Sequence, residues 1–454
     1  MDLPHRARAH ARSWIEWAAV VTIIVAGAWT TWVRVPPDHR RRPWAEDANI
    51  FLDEAIRDGA WSVIVHGYAG YQHLLPRLVM AAIFPFFDIA RYPMLVFAIC
   101  SVLVGAAAAA VFWLSRDLLP WLPARATLAA ITVLLPLAAQ ETIGNLADLH
   151  VYALWIMPWL LLYRPRRWSS GVAWAAIAFL LVMTEIQCAF FFWLIPFRMR
   201  RTEARAFPIF AAFLTGSVWQ IVTAVLVARP PGEGPLSIGS TFLGWMVNTV
   251  IPLAQADPVA VRALIHSSGL LVAWAILVPV AAATWVALWK GTPKQRLLTV
   301  TLLLGSAATY TGSVWANSQD AFRYAEFGLD HIDTLTVNIR YGVPSGMLLS
   351  AVIPLAAAIL VSRTREPTPQ ARRTATAAIT TAFAAVCCIA VVATMWHGDL
   401  HTLSLRGTVP EWPEAVRAAM DQCGSTRPPE TVSLPVAPWR SLDLSCTELL
   451  SLRR

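Results

Sequence analysis

The sequence predicts an all-α, polytopic helical membrane protein with about eleven transmembrane helices plus interfacial or re-entrant helices. Three observations predict it. Of 454 residues, 57% are hydrophobic and 14% charged, with mean hydropathy +0.54, more apolar surface than one soluble core can bury. Apolar runs recur from residue 14 to residue 395. Lysine and arginine gather in short groups at the ends of those runs, as topology signals do. The same placement argues against nucleic acid as a partner despite a net charge of +8, because no hydrophilic face collects the basic residues.

The opening run, 14–33, follows His5, Arg6, Arg8 and Arg12. Ala26-Gly27-Ala28 would suit a signal-peptide cleavage site, but the apolar stretch continues to Val33 and many runs follow, so an uncleaved signal anchor is expected. Further runs lie at 93–114, 125–140, 147–163, 171–184, 186–197, 207–227, 267–289, 297–314, 342–361 and 374–395. Cytoplasmic basic groups are assigned to the amino terminus, Arg116 to Arg125, Arg164 to Arg167, Arg198 to Arg205, Lys290 to Arg296 and Arg363 to Arg373. They share one side only if 71–87 does not cross and 171–197 is a tight hairpin turning at Glu185. The scheme leaves Arg40-Arg41-Arg42 outside, against the bias.

It predicts a multi-pass protein of the plasma (inner) membrane with a cytoplasmic amino terminus and an extracytoplasmic carboxyl terminus. Residues 1–395 form the transmembrane unit, with outer loops 34–92, 228–266 and 315–341, and 396–454 form a small extracytoplasmic tail. The 22 tryptophans are frequent near the proposed span ends, where an interfacial belt belongs. In the first loop, Asn49 to Ile56 has helical spacing suited to the membrane surface. Gly67-Tyr68-Ala69-Gly70-Tyr71 is a turn, and Leu74 to Phe87, interrupted by Pro76, Arg77 and Pro85, fits a re-entrant or interfacial helix, as does Phe242 to Leu253. Four of the six cysteines (Cys100, Cys188, Cys387, Cys388) sit in apolar runs as small hydrophobes. Cys423 and Cys446 lie in the outer tail, where oxidising conditions allow a disulfide.

Candidate chemistry concentrates in the outer segments. Adjacent Glu46 and Asp47 can supply a general base, since partial burial and like-charge repulsion raise a carboxylate's pKa; they equally suit an acidic helix start. Arg340-Tyr341 closes the last large loop, where a forked guanidinium meets a lipid phosphate or serves as an interfacial anchor. His73 and Arg77, four apart, share a helix face and could contact an anionic headgroup, or Arg77 could pair with Glu46 or Asp47. Asn145, Asp148 and His150 open the 147–163 run as sugar-binding groups or caps, with capping favoured for Asn145. Glu185 carries a similar ambiguity. A phosphate-cradling glycine loop, zinc-ligand spacing and a His-Glu-x-x-His helix are all missing, which argues against ATP-driven transport and zinc chemistry. Asp330, His331 and Asp333 give a weak divalent-ion signal.

The order of these features is informative: one span, the Glu46-Asp47 pair, an interfacial helix, Gly67-Tyr68-x-Gly70-Tyr71 leading to Pro76-Arg77, then Arg91-Tyr92-Pro93. It resembles the GT-C superfamily of membrane glycosyltransferases, which use polyprenyl-phosphate sugars. Asn145 to His150, Arg340 to Pro344 and the tail pattern Pro435 to Arg440 followed by Cys446 are similar to motifs of uncharacterised, often actinobacterial, integral membrane proteins that group with it. The resemblance implies sugar transfer from a polyprenyl-phosphate donor to an extracytoplasmic glycan, lipid or protein acceptor, with or without a divalent cation (Mg or Mn) and with no metal ligands assigned.

Glu46 or Asp47 would then deprotonate the acceptor hydroxyl, and Arg340, Arg77 and His73 would contact the donor phosphate. Tyr68, Asn145, Asp148, His150 and Tyr341 would line the sugar and acceptor. The tail is smaller than the acceptor-binding domain of many relatives, and Ala147-Asp148 stands where a neutral amide is expected. A transporter or flippase of a lipid-linked saccharide, or a noncatalytic assembly subunit, are the alternatives; the absence of internal symmetry counts against the transporter.

Overall fold

The computed structural model describes residues 3–86, 88–199, 204–229, 231–337, 339–364, 373–399 and 404–452. Parts of two expected basic clusters, 200–203 and 365–372, lie outside the described residues, as do the side chains of 3–15, Asp330 and Asp333. Nearly all regular structure is helical. Among the described residues, eight stretches are long and apolar enough to cross a membrane: Glu16–Arg34, Ile89–Asp117, Leu122–Ala139, Ala204–Leu226, Leu271–Lys290, Pro293–Ala316, Gly342–Thr364 and Ala375–Gly398. The chain is a helical, multi-pass membrane protein. Each of the eight coincides with an expected run. The other three runs are helical but shorter, as Ala147–Leu162, Trp168–Val182 and Ile186–Phe197. Between the last two the chain turns at Glu185, whose carboxylate accepts from Gln187 N at 2.7 Å and caps the 3-10 turn Ile186–Phe191.

Burial separates central from peripheral helices. Gly342–Thr364 is buried over 83% of its apolar window, whereas Leu271–Lys290 and Ala375–Gly398 are buried over only 22%. Their outer faces expose Val278, Trp285, Ile379 and Phe383, an apolar surface suited to lipid and not to water. Without a hydrophobic force between helices in lipid, close packing needs small residues. The opening helix Leu3–Arg34 meets Tyr92–Leu114 at Gly27 and Gly105, where a Cβ on Gly105 would fall 2.3 Å from Ile24 O.

One end of the bundle carries a polar head. Residues 47–59 are helical, covering the expected 49–56, with Ala48, Phe51, Leu52 and Ala55 buried in the core and Arg57, Asp58 and Gly59 exposed on the other side. A two-residue hairpin, Gly67–Tyr68 with Tyr71–Gln72, turns through Ala69 and Gly70, both at positive φ. It leads into the Leu74–Ile83 helix, whose first residues are pinned to the bundle by Leu74 N donating to Met183 O (3.0 Å) and Leu75 N to Thr184 Oγ1 (3.0 Å).

The tail adds two strands that the all-α expectation lacks. Thr431–Val436 pairs antiparallel with Arg440–Ser445, burying Val432, Leu434 and Val436 in alternation. Helices Trp412–Cys423 and Cys446–Ser451 flank this hairpin, joined by the Cys423–Cys446 disulfide. The tail is docked, not appended. Trp412 Nε1 donates to Ile89 O (2.7 Å), Ala45 N to Ala437 O (2.6 Å) and Arg57 Nη2 to Asp443 O (2.9 Å).

Gly105→Val should push the opening helix off its neighbour and cost about 1–3 kcal/mol through overpacking. A thermal unfolding midpoint equal to wild type in the same detergent would show that this crossing does not limit stability.

Candidate functional site

The polar head encloses a cleft of about 570 Å³ at the mouth of the helix bundle. The first loop contributes Glu46, Tyr68 and His73; the start of the Ala147–Leu162 helix gives Asp148 and His150; the turn before Ile186 gives Glu185. Arg229 and Glu233 follow the Ala204–Leu226 helix, Ser313 and Ala316 end the Pro293–Ala316 helix, and Arg340 and Tyr341 enter the last central helix. Residues far apart in sequence therefore face one space.

Glu46 and Asp47 part company. Glu46 lines the cleft and makes no hydrogen bond or ion pair among the described residues. Asp47 is buried outside the cleft wall, its Oδ1 accepting from Leu146 N (2.9 Å) and Ala147 N (3.1 Å). Burial pushes its carboxyl up to about 8, against the pull of Arg406 and those two amides. The geometry gives Asp47 a holding task at the turn that presents Asp148, which corrects its expected share in the base.

Asp148, His150 and Glu185 form one cluster. His150 Nδ1 pairs with Glu185, and its Nε2 lies 3.6 Å from Asp148 Oδ1. Asn145 is not in the cleft wall; its Oδ1 accepts from Asp148 N (2.7 Å) and its Nδ2 donates to Asp148 Oδ2 (2.9 Å), which fixes the Asp148 carboxylate from outside the cleft. Arg340 pairs with Glu141, with its Nε 3.9 Å from Asp148 Oδ1. Its side chain is 34% exposed toward the cleft, so part of the guanidinium fork stays open to a ligand. The hydroxyls of Tyr68 and Tyr341 have no hydrogen-bond partner among the described residues.

Two expected phosphate contacts are corrected. Arg77 does not line the cleft; it is 1% exposed, pairs with Glu54 and lies over the Phe51 ring, so its charge is already spent inside the head. It pairs with neither Glu46 nor Asp47. His73 does face the cleft, but burial, with the nearby His150 and Arg77 charges, pushes it down to about 3, so the ring is neutral. Its Nε2 lies 3.2 Å from Tyr68 O and takes the proton there, leaving Nδ1 as an acceptor that cannot donate to a phosphate.

Sequence reasoning missed Arg229 and Glu141. Arg229 donates to Asn317 Oδ1 (2.6 Å) and pairs with no carboxylate among the described residues. It follows a span end, as Arg340 precedes one, and the same interfacial signal could have found it. Glu141 is the carboxylate that offsets Arg340. Among the described residues no group of three or more His, Cys, Asp or Glu is arranged to hold a metal ion. Within the Asp148, His150 and Glu185 cluster the groups satisfy one another.

With this geometry in view, no protein-family model matches the chain, and no curated protein matches it significantly in sequence.

Asp47 generates a stability prediction whose sign follows from proton linkage. The unfolded chain releases this proton near 3.8 and the folded chain keeps it to about 8, so this residue's contribution to stability falls as pH rises from 4 to 8. Asp47→Asn, which keeps an acceptor for both amides, should flatten that part of the profile and retain the fold. Asp47→Ala should lower the unfolding midpoint, at about 1–3 kcal/mol for each buried amide left without an acceptor. Identical pH profiles for Asp47→Asn and wild type in thermal unfolding would contradict the assignment.

Proposed function

We propose that this chain is a GT-C-like membrane glycosyltransferase that moves a sugar from a polyprenyl-phosphate donor to an acceptor hydroxyl at the outer membrane face. The observation that carries the reading is the meeting of an unpaired carboxylate, Glu46, with two cationic side chains, Arg229 and Arg340, in one cleft where apolar helices end. A lipid-phosphate donor has this shape of chemistry: an apolar chain, an anion at headgroup depth and a polar sugar beyond it. In this reading the three short helices complete about eleven crossings, with the amino terminus cytoplasmic and the head and tail outside.

Glu46 takes the proton of the acceptor hydroxyl as its oxygen bonds to the anomeric carbon. The bond from that carbon to the phosphate oxygen breaks, and its electron pair leaves with the phosphate. Charge therefore grows on the phosphate, and Arg229 and the open part of Arg340 stabilise it more in the transition state than before. Tyr68 and Tyr341 offer hydroxyls to the sugar, and the charged Asp148, His150 and Glu185 cluster gives the opposite wall a fixed set of hydrogen-bonding groups. Binding of the lipid chain among the helices would position the sugar without a nucleotide site.

In a reconstituted assay with a polyprenyl-phosphate sugar, Glu46→Gln should lower the transfer rate about 10²- to 10⁴-fold, the range of a general base, with donor binding kept. Full transfer by this variant would remove Glu46 from the mechanism. Arg229→Gln should weaken donor binding and slow transfer together, whereas Arg77→Gln should act chiefly on stability. Unchanged donor affinity and rate in Arg229→Gln would leave that arginine without the proposed role. Saccharide crossing the bilayer with no new glycosidic bond would favour a flippase instead.

A further inference from the structure

A second hollow, of about 670 Å³, opens on the side of the molecule where the polar head meets the helix bundle. Its floor is the start of the Tyr92–Leu114 helix. Leu95, Ala98 and Val102 recur at helical spacing on one face of that helix, and Val102 is exposed, so the face looks outward to lipid. Leu95 and Ala98 line the hollow, and Ala98 lies about 9 Å down the span from Tyr92. Exposed Phe86, at the end of the short apolar helix Leu74–Phe86, forms one side. Pro413 of the tail closes the head side, where Trp412 Nε1 donates to Ile89 O (2.7 Å) and clamps the tail onto the turn before the span.

The rim above this apolar floor is charged, and its charges do not close on one another. Asp88 and Arg91 flank the 3-10 turn Ile89–Arg91, fixed by Asp88 Oδ1 accepting from Ala90 N (3.0 Å) and by Arg91 N donating to Asp88 O (2.9 Å). Among the described residues that cap is the one side-chain bond of Asp88, and the Arg91 guanidinium has none, although both residues line the same hollow. Side chains three apart on a 3-10 turn are eclipsed, yet these two do not pair. Arg41, the third charged residue of the lining, is already offset by Glu411 at 3.3 Å. In water an exposed arginine needs no partner. At the end of an apolar span the surrounding medium is the headgroup layer, where a guanidinium fork meets phosphate.

We propose that this lateral hollow holds one phospholipid whose headgroup carries both a phosphate and an ammonium. Arg91 donates to the phosphate, the Asp88 carboxylate oxygen not used by the cap accepts from the ammonium, and the start of an acyl chain lies along Leu95 and Ala98. Charge complementarity selects this occupant. The hollow presents one unpaired cation and one unpaired anion, and a lipid with phosphate alone would set its negative charge beside an uncompensated Asp88. Because the lining joins the tail, the turn before the span and the span itself, a bound lipid ties the docked tail to the bundle. The site is independent of the sugar-transfer reading, since none of its residues lines the cleft.

The test places the full chain in nanodiscs of equal parts phosphatidylethanolamine and phosphatidylglycerol, which share the phosphate but differ in the ammonium, and reads retained lipid by native mass spectrometry. Wild type should retain phosphatidylethanolamine well above its share of the bilayer. Arg91→Gln should lower retention of that lipid about five-fold, the effect of one basic residue at a lipid surface. Asp88→Asn keeps an acceptor for Ala90 N and should bring the two lipids to their bulk ratio. Leu95→Trp, which fills the hollow and changes no charge, should lower retention of both. The two charge variants keep the test informative should Leu95→Trp fail to fold. Retention in bulk proportion by wild type, or a wild-type pattern in either charge variant, overturns the proposal and leaves only nonspecific lipid around the helices.

Discussion

A buried carboxyl, Asp47, and a buried guanidinium, Arg406, hold the polar head of this protein to one turn, and the cleft is built on that turn. Arg406, 1% exposed, donates to Ile143 O (3.1 Å) and to Arg42 O (3.0 Å), with its guanidinium near the Trp44 and Phe97 rings. Asp47 accepts the amides of Leu146 and Ala147. The tail, the first loop and the 143–147 segment thus share one network in a poorly solvated place. A buried polar or charged group that loses its partners is expensive, so each group tolerates few arrangements of the others. Asp148 and His150 follow that turn directly and inherit its position.

This explains why a tail too small to stand alone is ordered against the membrane unit. Its hairpin buries one face, a disulfide joins its two helices, and its docking contacts reach Pro43, Ala45, Arg57 and Ile89. The head closes over helices whose ends are polar on the cleft side and apolar on the outside. A space with charged walls above an apolar bundle is the result.

Hydropathy made the membrane architecture legible because lipid leaves a helix few alternatives, and runs such as 93–114 and 374–395 are too long and apolar for anything else. It could not count crossings in 147–197, where three helices fall short of the usual crossing length and only the first, Ala147–Leu162, is buried by its neighbours. Cys423 and Cys446 were legible as the two cysteines outside apolar runs. The tail hairpin was not: Thr431–Val436 is six residues with a proline, and its alternation is visible only once one face is known to be covered. Within the cleft, chain order pointed to Glu46, Asp148, His150 and Arg340, but adjacent helical residues point about 100° apart, and sequence could not say which of Glu46 and Asp47 faces the cleft. The pairing of Arg77 with Glu54 is tertiary, and no local pattern encodes it.

The central claim is that a lipid-phosphate sugar occupies the cleft with its phosphate toward the two arginines and its anomeric carbon toward Glu46. Cryo-electron microscopy of the full chain with a non-hydrolysable polyprenyl-phosphonate sugar tests it directly. The account predicts phosphonate density within hydrogen-bond reach of Arg229 or Arg340, and the sugar between it and the Glu46 carboxylate. Density for the sugar outside the cleft, or with Glu46 facing away from it, would contradict the account.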